Sequence, residues 1–128
     1  MTRIYDAIHS AEENGDAVVG AAIINPLQPP SYAGAPWACA APEDDILVLH
    51  TLVIDPAAGK GLGRAFVDFY ERTAKSQGCR ALRMDTNARN LRARALYKKL
   101  GYTEIAVVPC TENGIPDVQL VLPEKPLA

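Results

Sequence analysis

Between Asp55 and Phe66 the chain reads DPAAGKGLGRAF, with Gly59, Gly61 and Gly63 at alternate positions. An apolar run, DILVLHTLVID, ends where this stretch begins, and apolar residues at helical spacing follow it. The glycines therefore fall in a strand-to-helix turn, where the first N–H groups of the helix lack intrahelical partners and carry partial positive charge. Such a turn accepts an anion, and glycine lets it approach where a Cβ would stand in the way. One glycine would serve a tight turn. Three, beside Lys60 and Arg64, point to a phosphate.

Spacing narrows the phosphate. A P-loop places Ser or Thr after its lysine, and here Gly61 follows Lys60, so nucleotide hydrolysis is excluded. The dinucleotide fingerprint G-x-G-x-x-G would need a small residue at Phe66 or at Arg64, and both registers fail.

The flanking elements suit an α/β domain. Ile4, Ile8 and Ala11 predict a short first helix ending at Asn14-Gly15. DAVVGAAIIN predicts a strand buried on both faces and stopping at Asn25-Pro26. Pro26, Pro29, Pro30, Pro36 and Pro42 make the stretch up to Asp45 a long loop, which carries Tyr32 and Trp37. Loop aromatics border a binding site or plug the core, and both readings stay open for Trp37. DILVLHTLVID is the central strand. Leu62, Ala65, Phe66, Phe69, Tyr70 and Ala74 form the stripe of a helix ended by Gly78. RALRMDT is the next strand, and Asn90 to Leu100 a second helix with Ala93, Leu96, Tyr97 and Leu100 inward and Gly101 at its end. YTEIAVVP and PDVQLVLP close the domain as strands around ENG.

At 128 residues the chain suits a single domain, 1–128. A net charge of −2 lacks the basic excess of nucleic-acid binding, so the expected partners are small molecules or protein. Cys39, Cys79 and Cys110 form no C-x-x-C pair, which predicts neither a disulfide framework nor a metal site and fits a reducing compartment. With no apolar run of ~18 residues, neither membrane span nor signal peptide is expected, and a cytoplasmic location follows.

The stretch VIDPAAGKGLGRAF resembles the acyl-CoA loop of the GCN5-related N-acetyltransferases (GNAT) at Val53, Pro56, Gly61 and Gly63. Downstream, NARNLRARALYKKLGY is similar to the family's second motif at Asn90, Ala93, Leu96, Tyr97, Gly101 and Tyr102. Two motifs in the right order make a specific match, and VVGAAIINPLQPPSYAGAPW is similar to the strand and aromatic loop found upstream in many bacterial members. The resemblance implies a mixed, mostly antiparallel sheet flanked by helices. Its strands would splay near residues 46–54 and 81–86 to admit acetyl-CoA. It implies an N-acetyltransferase acting on a small-molecule or protein amine, with a non-catalytic acyl-CoA-binding module or an interaction domain as the alternative. Oligomeric state, including a homodimer, is left open. Ala58 replaces the family's usual Arg or Gln, and the stretch before Asp45 is short enough that an initial strand and helix are expected to be missing.

In that chemistry, residues Leu52, Val53, Ile54, Gly59, Lys60, Gly61, Leu62, Gly63, Arg64, Asn90, Ala93 and Tyr97 are the expected cofactor contacts. A main-chain N–H near Leu52 to Ile54 would meet the oxyanion. Tyr97 is the candidate general acid, since a phenol is protonated at neutral pH, with a core aromatic as the rival reading. Asn90 is an N-cap, a partner of the pantetheine amide, or both. His50 is the candidate general base, and strand alternation puts it on the face shared by Val48 and Leu52. Asp85 and a water relay are its rivals, and Asp85 is equally a structural partner for Arg83 or Arg92. Tyr32, Trp37 and Asp85 are the candidate acceptor contacts.

Overall fold

The computed structural model describes residues 20–54, 61–112 and 114–127. The first helix expected at residues 4–14 and the glycines' neighbours Ala58 to Lys60 lie outside them. In chain order the elements are β1 (Gly20–Asn25), β2 (Ile46–Ile54), α1 (Leu62–Ser76), β3 (Ala81–Met84), β4 (Thr86–Asn87), α2 (Leu91–Lys99), β5 (Thr103–Glu112) and β6 (Ile115–Pro126). The strands form one sheet in the order β1-β2-β3-β6-β4, with β5 also paired to β6. Only β2 and β3 run parallel among the described pairs, and α1 makes the crossover between them. The sheet is mixed and mostly antiparallel.

Period-two alternation sorts β2 between two cores. Leu47 and Leu49 join Phe66, Val67, Tyr70, Ala74, Leu82, Met84, Tyr97 and Tyr102 on the helix side, while Ile46 and Val48 join Tyr32, Ala81, Leu120 and Leu122 on the other. This is why β2 reads as continuously apolar: both of its faces are buried. β1 differs from its expectation. It is the edge of the described sheet, with Ala22 and Ile24 buried and Ile23 42% exposed. The stripe of α1 is likewise turned from the expected one, with Val67 buried and Ala65 exposed.

Both helices end in the same way. Gly78 and Gly101 take left-handed conformations, φ 72° and 96°. Their N–H groups bond Lys75 and Lys98 carbonyls, and the next residues, Cys79 and Tyr102, bond Ala74 and Tyr97 carbonyls. This pairing satisfies the orphaned carbonyls of the last turn and sends the chain back into the sheet. β5 and β6 run past Pro109 and Pro123, where the sequence pattern would stop them. Pro123 has no N–H to give, and it falls where the β6 ladder changes partner: Arg83 of β3 pairs with Glu124, Thr86 of β4 with Val121, and Met84 and Asp85 lie between.

The proline-rich loop is not loose covering. Glu124, only 2% exposed, meets Arg83 at 3.3 Å and accepts the N–H groups of Ala38 and Cys39 at 2.8 and 3.3 Å. Arg83 also donates to the Cys39 carbonyl and to Gln28 Oε1, and its guanidinium lies 4.3 Å from the Trp37 ring centre. Each charge is thus paired and hydrogen-bonded, the condition for burying it.

Beneath the sheet, the fully buried Tyr70 directs its hydroxyl at the Leu47 carbonyl of β2, 2.5 Å away, and at the Arg83 carbonyl of β3, 2.9 Å away. Tyr70→Phe keeps the ring and removes the donor from two buried carbonyls. Urea denaturation is expected to show a loss of about 1–3 kcal/mol with an unchanged m-value.

Candidate functional site

The parallel pairing of β2 and β3 covers Ile46↔Ala81 to Leu49↔Met84 and then stops. β2 continues to Ile54 with β1 as its strand partner, so from His50 onward the edge that faced β3 has none among the described residues. The two residues next in register across this fork are His50 and Asp85. In a βαβ crossover the carboxyl ends of the strands are also where the following helix begins, so the fork and the N-terminus of α1 share one end of the sheet.

That N-terminus is bare. Gly61 is its N-cap, with φ 88° in the left-handed region, and open space lies where its Cβ would be. A side chain there would be strained by backbone conformation rather than by crowding. Among the described residues no side chain caps the helix, and no acidic residue occupies its first turn. The N–H groups of Leu62, Gly63 and Arg64 thus keep the partial positive charge that an anion seeks. Gly59 and Lys60 lie outside the described residues.

On β2, Leu52 packs against the helix-side core and Val53 is 59% exposed. His50 does not share Leu52's face. Ile23 pairs with Thr51 and Ile24 with Leu49, so His50 is an extra residue opposite β1, a β-bulge. The bulge resets the alternation, putting Leu49 and Leu52 on the helix side and leaving His50 to line a pocket on the other. Simple alternation thus holds for His50, which keeps the face of Val48, and fails for Leu52, which the bulge returns to the helix side. The pocket, about 570 Å³, is walled by Pro29, Pro30 and Ser31 of the loop, by Pro109, Cys110 and Thr111 of β5, and by Leu120, with His50 and Asp85 as its ionisable oxygen and nitrogen groups.

Asp85 accepts a 2.7 Å hydrogen bond from the buried Tyr32 hydroxyl. Burial first, and then the Asp85 charge, push the Tyr32 phenol far above its ordinary value, so it stays a donor. Arg83 takes Glu124 as its carboxylate, as described above. Trp37 lies away from the pocket lining: its Nε1 donates to the Tyr32 carbonyl, its ring meets Tyr32 at 5.2 Å, and Arg83 stacks on it. It braces the loop that carries Tyr32.

His50 is half-buried, and burial lowers its pKa below the ordinary 6.5, so the ring is neutral at neutral pH. Its Nε2 bonds Asn25 Oδ1. In the sequence Asn25 reads as a strand end before a proline, with nothing local to mark it as a partner of His50. Pro109, Cys110 and Thr111 were missed similarly, because a pocket wall from a distant strand leaves no local pattern.

α2 holds the other candidates. Asn90 is its N-cap and accepts the Ala93 N–H at 3.1 Å. Ala93 packs against the helix-side core, and Tyr97, 6% exposed, lies in that core beside Tyr102 at 6.0 Å between ring centres. Burial first, and Asp85 second, raise the Tyr97 pKa. Asp85 therefore bears on a phenol on each side of the sheet, Tyr32 on one and Tyr97 on the other.

The family model for the acetyltransferase (GNAT) family matches residues 4–102. Mycothiol acetyltransferase from Beutenbergia cavernae is 38% identical over 69 residues, which is 53% of this chain and 23% of that protein. The chain thus matches less than a quarter of the length of this curated relative. Among solved structures, ribosomal-protein-alanine N-acetyltransferase from Brucella melitensis superposes with a TM-score of 0.72 at 22% identity, covering 92% of this chain and 67% of that one. A Bacillus subtilis acetyltransferase in complex with CoA superposes at 0.65 and 18% identity, covering 91% and 74%. At these identities the likeness is one of fold. The sequence motifs, the forked sheet and the family match across most of the chain converge: the chain belongs to the acetyltransferase (GNAT) family.

Proposed function

We propose that the chain transfers an acetyl group from acetyl-CoA to a primary amine of a small molecule or protein, by direct attack of the amine on the thioester. The observation that carries this reading is the parting of β2 and β3 after Leu49 and Met84, at the end of the sheet where α1 begins uncapped.

When bound, acetyl-CoA supplies the electrophilic carbonyl and a thiolate leaving group. The first-turn N–H groups from Leu62, Gly63 and Arg64 suit its pyrophosphate, since among the described residues no side chain occupies them and the first turn holds no acid. Gly59 and Lys60 are assigned to the same loop. The freed edge of β2 at Leu52, Val53 and Ile54 is assigned the oxyanion, a task in which one main-chain donor contributes ~3 kcal/mol. Asn90 and Ala93, at the start of α2, are assigned the pantetheine arm. On the opposite side of the fork, Asp85 attracts the acceptor's ammonium, Tyr32 holds Asp85 in place, and Trp37 acts through the loop wall. Neutral His50 takes the ammonium proton, and Tyr97, kept protonated by burial, returns a proton to the thiolate.

The test is a turnover screen of acetyl-CoA against polyamines, aminoglycosides, amino acids and peptide N-termini. Acetyl-CoA binding without turnover on any of them would select the non-catalytic binding module instead. Gly63→Val crowds the first turn and is expected to abolish acetyl-CoA binding in calorimetry while the thermal unfolding transition persists.

With an acceptor in hand, Tyr97→Phe is expected to lower kcat by ~10²- to 10⁴-fold with acetyl-CoA affinity close to wild type. A tyrosine needed only for packing would leave kcat unchanged. The pH profile reports on His50. A base with a lowered pKa is active when neutral, so kcat/KM should fall as pH drops, with a midpoint below 6.5. The folded state also loses stability over that descent, because the unfolded ring takes up its proton first. His50→Gln should remove the acidic limb together with most of the rate.

A further inference from the structure

We propose that Asn25 is a positioning residue that holds His50 as the Nε2–H tautomer, making Nδ1 the nitrogen that accepts a proton in the pocket. The last step rests on the acetyl-transfer reading, whereas the tautomer follows from hydrogen bonds alone.

Asn25 ends β1 and is 6% exposed. Its Oδ1 accepts the main-chain N–H of Leu27 at 3.0 Å. A main-chain N–H can only donate, so this contact fixes which end of the side-chain amide is the oxygen. The same oxygen is the partner of His50 Nε2. Two bare acceptors cannot bond one another, so Nε2 carries the proton. In a neutral imidazole the other nitrogen is then the acceptor.

Local sequence explains why Asn25 can do this. Proline at position 26 biases the residue before it toward extended backbone, and an Asn side chain bonding the N–H two residues on makes an Asx-turn. The amide is thereby locked by its own loop before it meets the histidine. His50 keeps the face of Val48, the residue paired with Asn25, and this brings its ring to the end of β1 and to the pocket.

Among the described residues, the remaining titratable groups around the ring come from other elements: Asp85 beyond β3, the Tyr32 hydroxyl from the loop, and Cys110 from β5. β1 contributes none, and β6 offers Leu120. Asp85 is the anion among them that draws a cationic amine, which leaves deprotonation to a neutral base. A base with one fixed tautomer spends no part of its population in the wrong form.

Long-range proton–nitrogen NMR spectra of the full chain, uniformly nitrogen-15 labelled, read the tautomer without CoA or amine present. The His50→Gln spectrum identifies which of the two histidines gives the signal. The expected result near pH 7.5 is a protonated Nε2 and an unprotonated Nδ1. Asn25→Asp keeps an acceptor for Leu27 and sets a carboxylate beside Nε2–H. The His50 titration midpoint should then rise by roughly one to three pH units, and the acidic limb of kcat/KM should rise with it. The added charge raises the midpoint whatever the tautomer, so the tautomer read in Asn25→Ala, expected to lose its preference for Nε2–H, is the result that a merely structural asparagine would not produce. An Nδ1–H tautomer in the wild type, or an unmoved midpoint in folded Asn25→Asp, overturns the inference. If Asn25→Asp does not fold, the wild-type spectrum alone decides. An Nε2–H spectrum in a chain that acetylates no amine overturns the acetyl-transfer reading and supports the tautomer.

Discussion

The Tyr70 hydroxyl sits below the place where two parallel strands are about to separate. Strands that part leave main-chain groups without ladder partners, and a buried carbonyl without a donor is costly. Tyr70 of α1 reaches both strands within their last paired residues, at the Leu47 carbonyl on β2 and the Arg83 carbonyl on β3. The helix that follows β2 thus braces the two strands below the fork from its middle, while its first turn lies at the fork's own end of the sheet. A single amphipathic helix links the opening of the sheet to the proposed anion site, and this is why the glycine turn and the fork belong to one arrangement.

Two local departures from regular strand geometry then lie at the ionisable groups. The bulge in β2 lets Leu52 return to the helix-side core while His50 stays on the face of Val48, and Asp85 lies at the break between β3 and β4, between the pairings Arg83↔Glu124 and Thr86↔Val121. Without the bulge, β2 would keep strict alternation beyond Leu49, and Leu52 would be directed away from the helices against which it packs. The residues closest to the proposed chemistry thus occupy the positions where the sheet is least regular, as expected where a fold accommodates a site.

What the sequence made legible follows from this geometry. Period-two and period-3.6 patterns, the capping Asn90, the glycines at 78 and 101, and the two motifs around Gly61 and Tyr97 are local signals, and the elements they predict are present among the described residues. The register shift opposite Ile23 and Ile24 is not local: it depends on which residue of β1 meets which residue of β2, and no single segment records that. The one-sided exposure of β1 was hidden for the same reason, since Ile23 and Ile24 are chemically identical and only their neighbours differ. The sequence pattern ends the last two strands at Pro109 and Pro123, whereas both prolines lie inside paired strands, Pro109 opposite Gln119 and Pro123 opposite Glu104. The partnership of Asn25 with His50 spans two strands and needed coordinates to be seen.

The buried Arg83–Glu124 pair bears on how the pocket responds to its medium. The pair anchors the loop through Ala38, Cys39 and Gln28, and that loop supplies Pro29, Pro30 and Ser31 to one wall. Mobile ions screen exposed charges within about 10 Å at 0.1 M salt but reach buried ones poorly. The surface pair of Arg72 and Asp68, each more than two-thirds exposed, belongs to the first kind, and the Arg83–Glu124 pair to the second. Ionic strength therefore acts on the approach of the proposed amine acceptor without loosening the wall it would approach, so that encounter and fit would be governed by separate sets of charges.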